Sequence, residues 1–162
     1  MRQTFEYVRR EWTGDGWLLD ASGYGPYLSG ILQDLPPAAR AFVVADWHYD
    51  VSDHRCLHDA WVDSVSINER AQGERRQHRR TEIVVKLFGA FHDGHAQLHY
   101  TGVKACSFEC EDASHGHGDW IIDEVRLSPA KTIIHEVLLT KARWVIECAD
   151  IEWRWTELQG NL

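Results

Sequence analysis

The sequence predicts a mainly β fold: an antiparallel two-layer sandwich or strongly curved sheet, with one short N-terminal helix. Three observations predict it. From residue 41 onward, apolar and polar residues alternate with a period of two in run after run, as strands with one buried face do. The connections between runs are short clusters of Gly, Pro, Asp and Ser, which favours antiparallel neighbours over long parallel crossovers. Finally, Asp93-Gly94 lies between two alternating runs, and this pair accepts the positive φ angles of a tight hairpin.

The elements follow in order. Phe5, Tyr7 and Trp12 alternate as a strand would, but Gly14-Asp15-Gly16 and Gly23-Tyr24-Gly25 break the chain twice. Over residues 26–35, Tyr27, Leu28, Ile31, Leu32 and Leu35 form a helical stripe, with Pro26 suited to the first turn and Pro36-Pro37 closing it. Residues 41–49 are rich in β-branched and aromatic side chains and read as a strand. Residues 57–68 alternate through Trp61, Asp63, Val65 and Ile67. The hairpin spans 81–100, with Val85, Leu87, Phe91, Leu98 and Tyr100 expected in the core. Its other face carries Glu82, Lys86, Phe88 and Gln97, with Phe88 expected opposite His99. Strands are also expected at 103–110, 120–127 and 132–140. The last run, 143–156, places Trp144, Ile146 and Cys148 on one phase and Ile151, Trp153 and Trp155 on the other. A bulge near Ala149-Asp150 accounts for that switch.

A chain of 162 residues is expected to form a single domain over 1–162, irregular or helical to about residue 40 and antiparallel β over about 41–158. No run approaches the roughly 18 apolar residues of a membrane span, and the opening residues lack a signal peptide's apolar segment, so a soluble, cytoplasmic protein is expected. The four cysteines are too scattered for a disulfide framework and read as reduced, mostly buried thiols. A net charge of −8 argues against nucleic acid or a membrane and suits a basic protein partner.

Ten histidines and 25 acidic residues raise the question of a metal. With Asp93-Gly94 as the turn, His92 and His95 stand opposite each other, their Cβ atoms about 5 Å apart. His99 lies about 13 Å further along and cannot share an ion with them. His115 and His117 sit in the glycine-spaced loop 114–119. His92, His95, His115 and His117 are therefore the candidate metal ligands, with zinc the candidate ion; read otherwise, they are solvated turn and loop residues and no cofactor is expected. Cys106 and Cys110, on one strand, stand too far apart to share that ion. Cys56 has His54, Arg55, His58 and Asp59 around it but lacks a nucleophile signature. His135 falls on the apolar face of Ile133, Val137 and Leu139 and reads as a hydrogen-bonded core residue. The carboxylates, Asp123, Glu124 and Asp150 among them, read as solvated faces, those near Asp150 being the first place to look for an acid/base pair. Arg75, Arg76, Arg79 and Arg80 form the one concentrated basic segment and read as part of a solvated loop.

Four segments add a resemblance: HDAWVDSVSI at 58–67, LFGAFHDGH at 87–95, GHGDWIIDEV at 116–125 and IECADIEWRW at 146–155. In style they resemble small uncharacterised bacterial domain proteins, a group that includes immunity proteins of toxin systems. The resemblance brings no catalytic motif. Many strands, several Trp and Tyr suited to contact surfaces and the lack of a coherent catalytic set point to a non-enzymatic interaction domain, and an acidic immunity-type protein that neutralises a basic toxin fits the charge balance. The competing expectation is a metal-dependent or acid/base enzyme using His and carboxylate groups on the sheet. A third is a phosphate or RNA binder working through the arginines of 75–80.

Overall fold

The computed structural model describes residues 5–159, so the ends of the expected domain, 1–4 and 160–162, lie outside the described residues. A small hairpin, β1 (Arg9–Trp12) with β2 (Trp17–Asp20), is followed by α1 (Tyr24–Ile31), a 3-10 turn and α2 (Pro37–Val43). Eight strands then complete the chain: β3 (Trp61–Gln72), β4 (His78–Phe88), β5 (Gly94–Thr101), β6 (Ala105–Cys110), β7 (Trp120–Leu127), β8 (Ile133–Leu139), β9 (Ala142–Cys148) and β10 (Asp150–Glu157). They form two antiparallel sheets, ordered β10-β5-β4-β3 and β6-β9-β8-β7. Inner faces of both supply one core, with Ile83, Val85, Leu87, Leu98, Tyr100 and Ile151 from the first sheet meeting Val125, Val137, Leu139, Trp144 and Ile146 from the second.

The mainly β, antiparallel prediction holds, but the single helix does not. Residues 41–49 are not a strand: α2 takes 37–43 and turns take the rest. Pro37 opens this helix instead of closing the previous one, as its fixed φ and missing N–H allow. Pro36 has no side chain to cap the helix, and Asp150 of β10 accepts from Ala39 N–H in its place (3.1 Å). Phe42 and Val43 are buried in the core, so tertiary burial overrides their strand propensity.

The phase switch at Ala149 marks a change of sheet. β9 ends at Cys148 in one sheet and β10 starts at Asp150 in the other, leaving one residue to turn the corner. Gly102 serves that corner with φ +60, where an added Cβ would lie 2.8 Å from Ala149 Cβ.

The β4–β5 hairpin turns earlier than Asp93-Gly94 suggests. Gly89 N–H donates to Gly94 O (2.9 Å), leaving 90–93 as the loop, and Phe88 pairs with His95, not His99. His92 is thus not opposite His95; it sits in the loop with φ +59. Phe91, expected in the core, is 47% exposed. The cause is non-local. Trp155 lies over both glycines, and a Cβ on Gly89 would come within 2.7 Å of its ring, with Gly94 tighter still.

The outer edge of β7 is closed by groups from outside the sheet. Trp120 N–H donates to Ala60 O (2.9 Å) and Asp59 N–H to Trp120 O (2.8 Å). His58 Nδ1 meets Ile121 O at 2.8 Å, and Tyr49 Oη donates to Asp123 O (2.9 Å). Tyr24 Oη accepts from Val125 N–H (2.5 Å) and donates to Val125 O (3.0 Å), while Leu127 N–H donates to Tyr27 Oη (2.9 Å). Among the described residues, no helix is long and apolar enough to cross a membrane.

Candidate functional site

Strand pairing gathers rings at the start of β3. The Trp61 indole, 49% exposed, meets His92 edge-on at 4.8 Å between centroids. Phe88 stacks on His92 at 4.9 Å and lies 5.2 Å from His95. On the other flank of Trp61, a shallow hollow of about 310 Å³ is lined by His115, His117 and Asp119. Three of the four histidines singled out in the sequence, His92, His115 and His117, therefore border one exposed tryptophan, while His95 touches Phe88 instead. They do not converge on a point. His115 bonds its neighbour Ser114 (2.9 Å), His117 meets the Trp144 ring edge-on, and among the described residues no three His, Cys, Asp or Glu side chains are arranged to hold a metal ion.

Carboxylates accompany these rings. Asp63 Oδ2 lies 3.6 Å from Lys86 Nζ and 3.7 Å from His95 Nε2. Asp59, exposed and at φ +64, precedes the strand, and Asp119 pairs with Trp61 in an isolated bridge. Beyond them, His54 stacks on Phe91 at 4.0 Å and bonds Asp93. The surface is thus aromatic at its centre and acidic at its margin.

A second constellation is fully internal. Asp123 of β7 is 2% exposed and accepts from His48 Nε2 (2.9 Å to Oδ2) and His135 Nε2 (2.9 Å). Trp120 Nε1 stands 3.4 Å from its Oδ1. Both nitrogens of His48 face groups that only accept, the Asp123 carboxylate and Phe42 O (2.9 Å), so both carry protons and the ring is an imidazolium. Burial alone would lower the His48 pKa, but the Asp123 charge and the hydrogen bonds outweigh it, and the net shift is upward. For Asp123, burial works toward a higher pKa, yet the two imidazoles hold it well below the usual carboxylate range. His135 donates from Nε2, which leaves Nδ1 to accept from the Tyr100 hydroxyl (2.9 Å).

This chain ties the α2–β3 connection to β7, β8 and β5. Every donor and acceptor in it is used internally, so neither His48 nor Asp123 keeps a free position for a substrate. Beside it lies a hollow of about 390 Å³ with mostly apolar walls, Leu19, Val51 and Ile122 among them.

The sequence placed His135 correctly in the core but missed its partners, Asp123 and Tyr100, which lie 12 and 35 positions away along the chain. The available signal was a pair of polar residues, Asp123 and His135, each inside an apolar strand. A buried His without a partner is costly, and a carboxylate on the neighbouring strand is its usual remedy.

The remaining candidates resolve as structure. Cys56 is buried with Sγ near His48 O (3.5 Å), and burial pushes its thiol pKa up. Burial and the Asp150 charge raise the Cys148 thiol to about 12. Asp150 is the cap of α2. Glu124, expected on a solvated face, is fully buried and accepts from the N–H groups of Glu6, Tyr7 and Val8 and from Arg126. Only half of the segment 75–80 is a loop: β3 runs to Gln72 and β4 starts at His78, so 75–77 belong to the turn and 78–80 to the strand. No family model and no curated protein matches this chain.

Proposed function

We propose that this chain is a non-enzymatic binding domain whose contact surface is the Trp61 end of the β10-β5-β4-β3 sheet, and that it takes a basic segment of a partner protein. The carrying observation is the exposed indole of Trp61, ringed by histidines and by the carboxylates of Asp59, Asp63 and Asp119. Exposed aromatics are the commonest anchors of protein interfaces, and an indole face attracts guanidinium and ammonium groups. Carboxylates at the margin steer a basic partner in and make the association salt-dependent. The likeness in style to small uncharacterised bacterial domain proteins, a group that includes immunity proteins, motivates the same reading, an acidic antagonist of a basic protein. The saturation of the His48–Asp123–His135 chain weighs against the acid/base alternative.

The test uses a labelled octa-arginine peptide titrated by fluorescence anisotropy. Wild type binds with an affinity that falls as salt rises, and Trp61→Ala or the pair Asp59→Asn/Asp63→Asn weakens it at least tenfold. Unchanged affinity in both variants sinks the assignment of the surface.

A further inference from the structure

The opposite end of the same hairpin carries the opposite charge. Val103 N–H donates to Thr81 O (3.0 Å), and past that point β3 and β4 pair only with each other, through Arg70↔Arg80, Ala71↔Arg79 and Gln72↔His78. The paired part extends about 10 Å, with the 73–77 turn beyond it. Every residue from 66 to 80 is exposed. Residues 66–80 hold five arginines against two glutamates on a chain of net charge −8, so the rest of the molecule stands at −11. Arg70 is tied to Glu82 at 2.9 Å, but among the described residues Arg75, Arg76, Arg79 and Arg80 have no ion-pair partner.

This arm is expensive as it stands. It has almost no apolar side chain to hold it, and a two-stranded ribbon without such packing is marginal in water. It also sets Arg70 directly across from Arg80, a like-charge pairing that disfavours the register. A polyanion would relieve the repulsion. The distribution of charge says which kind. Arg80 and His78 lie on one face, Arg79 on the other, and Arg75 and Arg76 on the tip. A flat acidic protein surface would engage one face and leave the other idle. A groove with phosphates on both walls engages both faces and the tip. A ribbon entering edge-on is about 10 Å thick with its side chains, and the major groove of B-form DNA is about 12 Å wide.

We infer that the β3–β4 arm binds the phosphate ridges of duplex DNA across the major groove, through Arg75, Arg76, Arg79 and Arg80. The acidic body is repelled by the same polyanion, so contact is confined to the arm. The site is separate from the Trp61 surface, at the other end of the hairpin.

A fluorescein-labelled 20-base-pair duplex, titrated by anisotropy at 50 to 200 mM salt, tests it. Four phosphate contacts predict a log K against log salt slope of about −3 to −4. Arg79→Ala/Arg80→Ala reduces the slope to about −2, and the fourfold alanine variant loses binding at 50 mM salt. Trp61→Ala binds the duplex as wild type does, and the fourfold variant still binds octa-arginine, so the two sites fail independently. The inference is overturned if wild type ignores the duplex at 50 mM salt, or if the fourfold variant binds it undiminished. It is equally overturned if poly-glutamate of matched charge displaces the duplex as well as unlabelled DNA does, since the arm would then read acidic protein.

Discussion

The outer faces of the two sheets differ more than their inner ones. On the β6-β9-β8-β7 sheet the N-terminal segment covers the outside, and Val8, Tyr24 and Ile122 form a second, smaller core there. The charges under that cover are all paired: Arg126 Nη1 reaches Glu124 at 2.7 Å and Glu136 at 2.8 Å, and Arg143 Nε reaches Glu136 at 2.8 Å. On the β10-β5-β4-β3 sheet Trp61 and residues 66–80 stand exposed, Lys86 and His95 are half-buried with loose ion pairs, and among the described residues Arg75, Arg76, Arg79 and Arg80 have none. Cover decides what a charge does. Under a lid it must be satisfied internally and then serves the fold; in the open it is left available to something else.

The largest expected effect comes from breaking a charge pair satisfied inside the fold. Asp123→Asn leaves the His48 imidazolium buried without its counter-charge and costs about 3–5 kcal/mol, read by urea denaturation. A loss below about 1 kcal/mol would show that His48 carries no charge in the folded protein. Gly94→Ala pushes a methyl group into the Trp155 ring and costs about 1–3 kcal/mol; a neutral result would mean that Trp155 has room to move aside. Tyr24→Phe orphans Val125 N–H and C=O and costs about 1–3 kcal/mol, with faster amide exchange at Val125 as its local readout.

The His48–Asp123 pair also sharpens the contrast through pH. Asp123 has a depressed folded pKa, so its contribution is complete above the unfolded carboxylate value, about 4, and is lost as pH falls through the folded value. His48 has a raised one, so its contribution is complete below the unfolded imidazole value, about 6.5, and fades as pH rises through the folded value. Stability should therefore peak between about pH 4 and 6.5, and Asp123→Asn should flatten the alkaline side. A wild-type profile still climbing at pH 8 contradicts the pairing. The smallest effect belongs to the open side: Arg79→Ala/Arg80→Ala changes stability by no more than about 0.5 kcal/mol, whatever it does to binding.

Strands whose burial alternates were legible because period two is a local property. The inner faces of β4, β5 and β9 emerge directly from it. What failed was decided by distant partners. The Asp93-Gly94 turn is a sound local signal, overruled because Trp155, some 60 residues on, needs Gly89 and Gly94 bare. The 41–49 segment looks like a strand by propensity, and becomes a helix and turns because Asp150 caps it and Phe42 and His48 reach the core. Of the candidate site, the histidines could be named from the sequence but not their common neighbour. Trp61 joins 92 and 115–119 only once β3 lies between them.

The tyrosine hydroxyls along β7 have one further consequence. A bare strand edge is a template on which a foreign strand can grow the sheet, in recognition or in aggregation. Here the positions such a visitor would use are already taken, by Tyr24, Tyr27, Tyr49 and the backbone of 59–60. On that flank the protein is closed to strand donation in either direction.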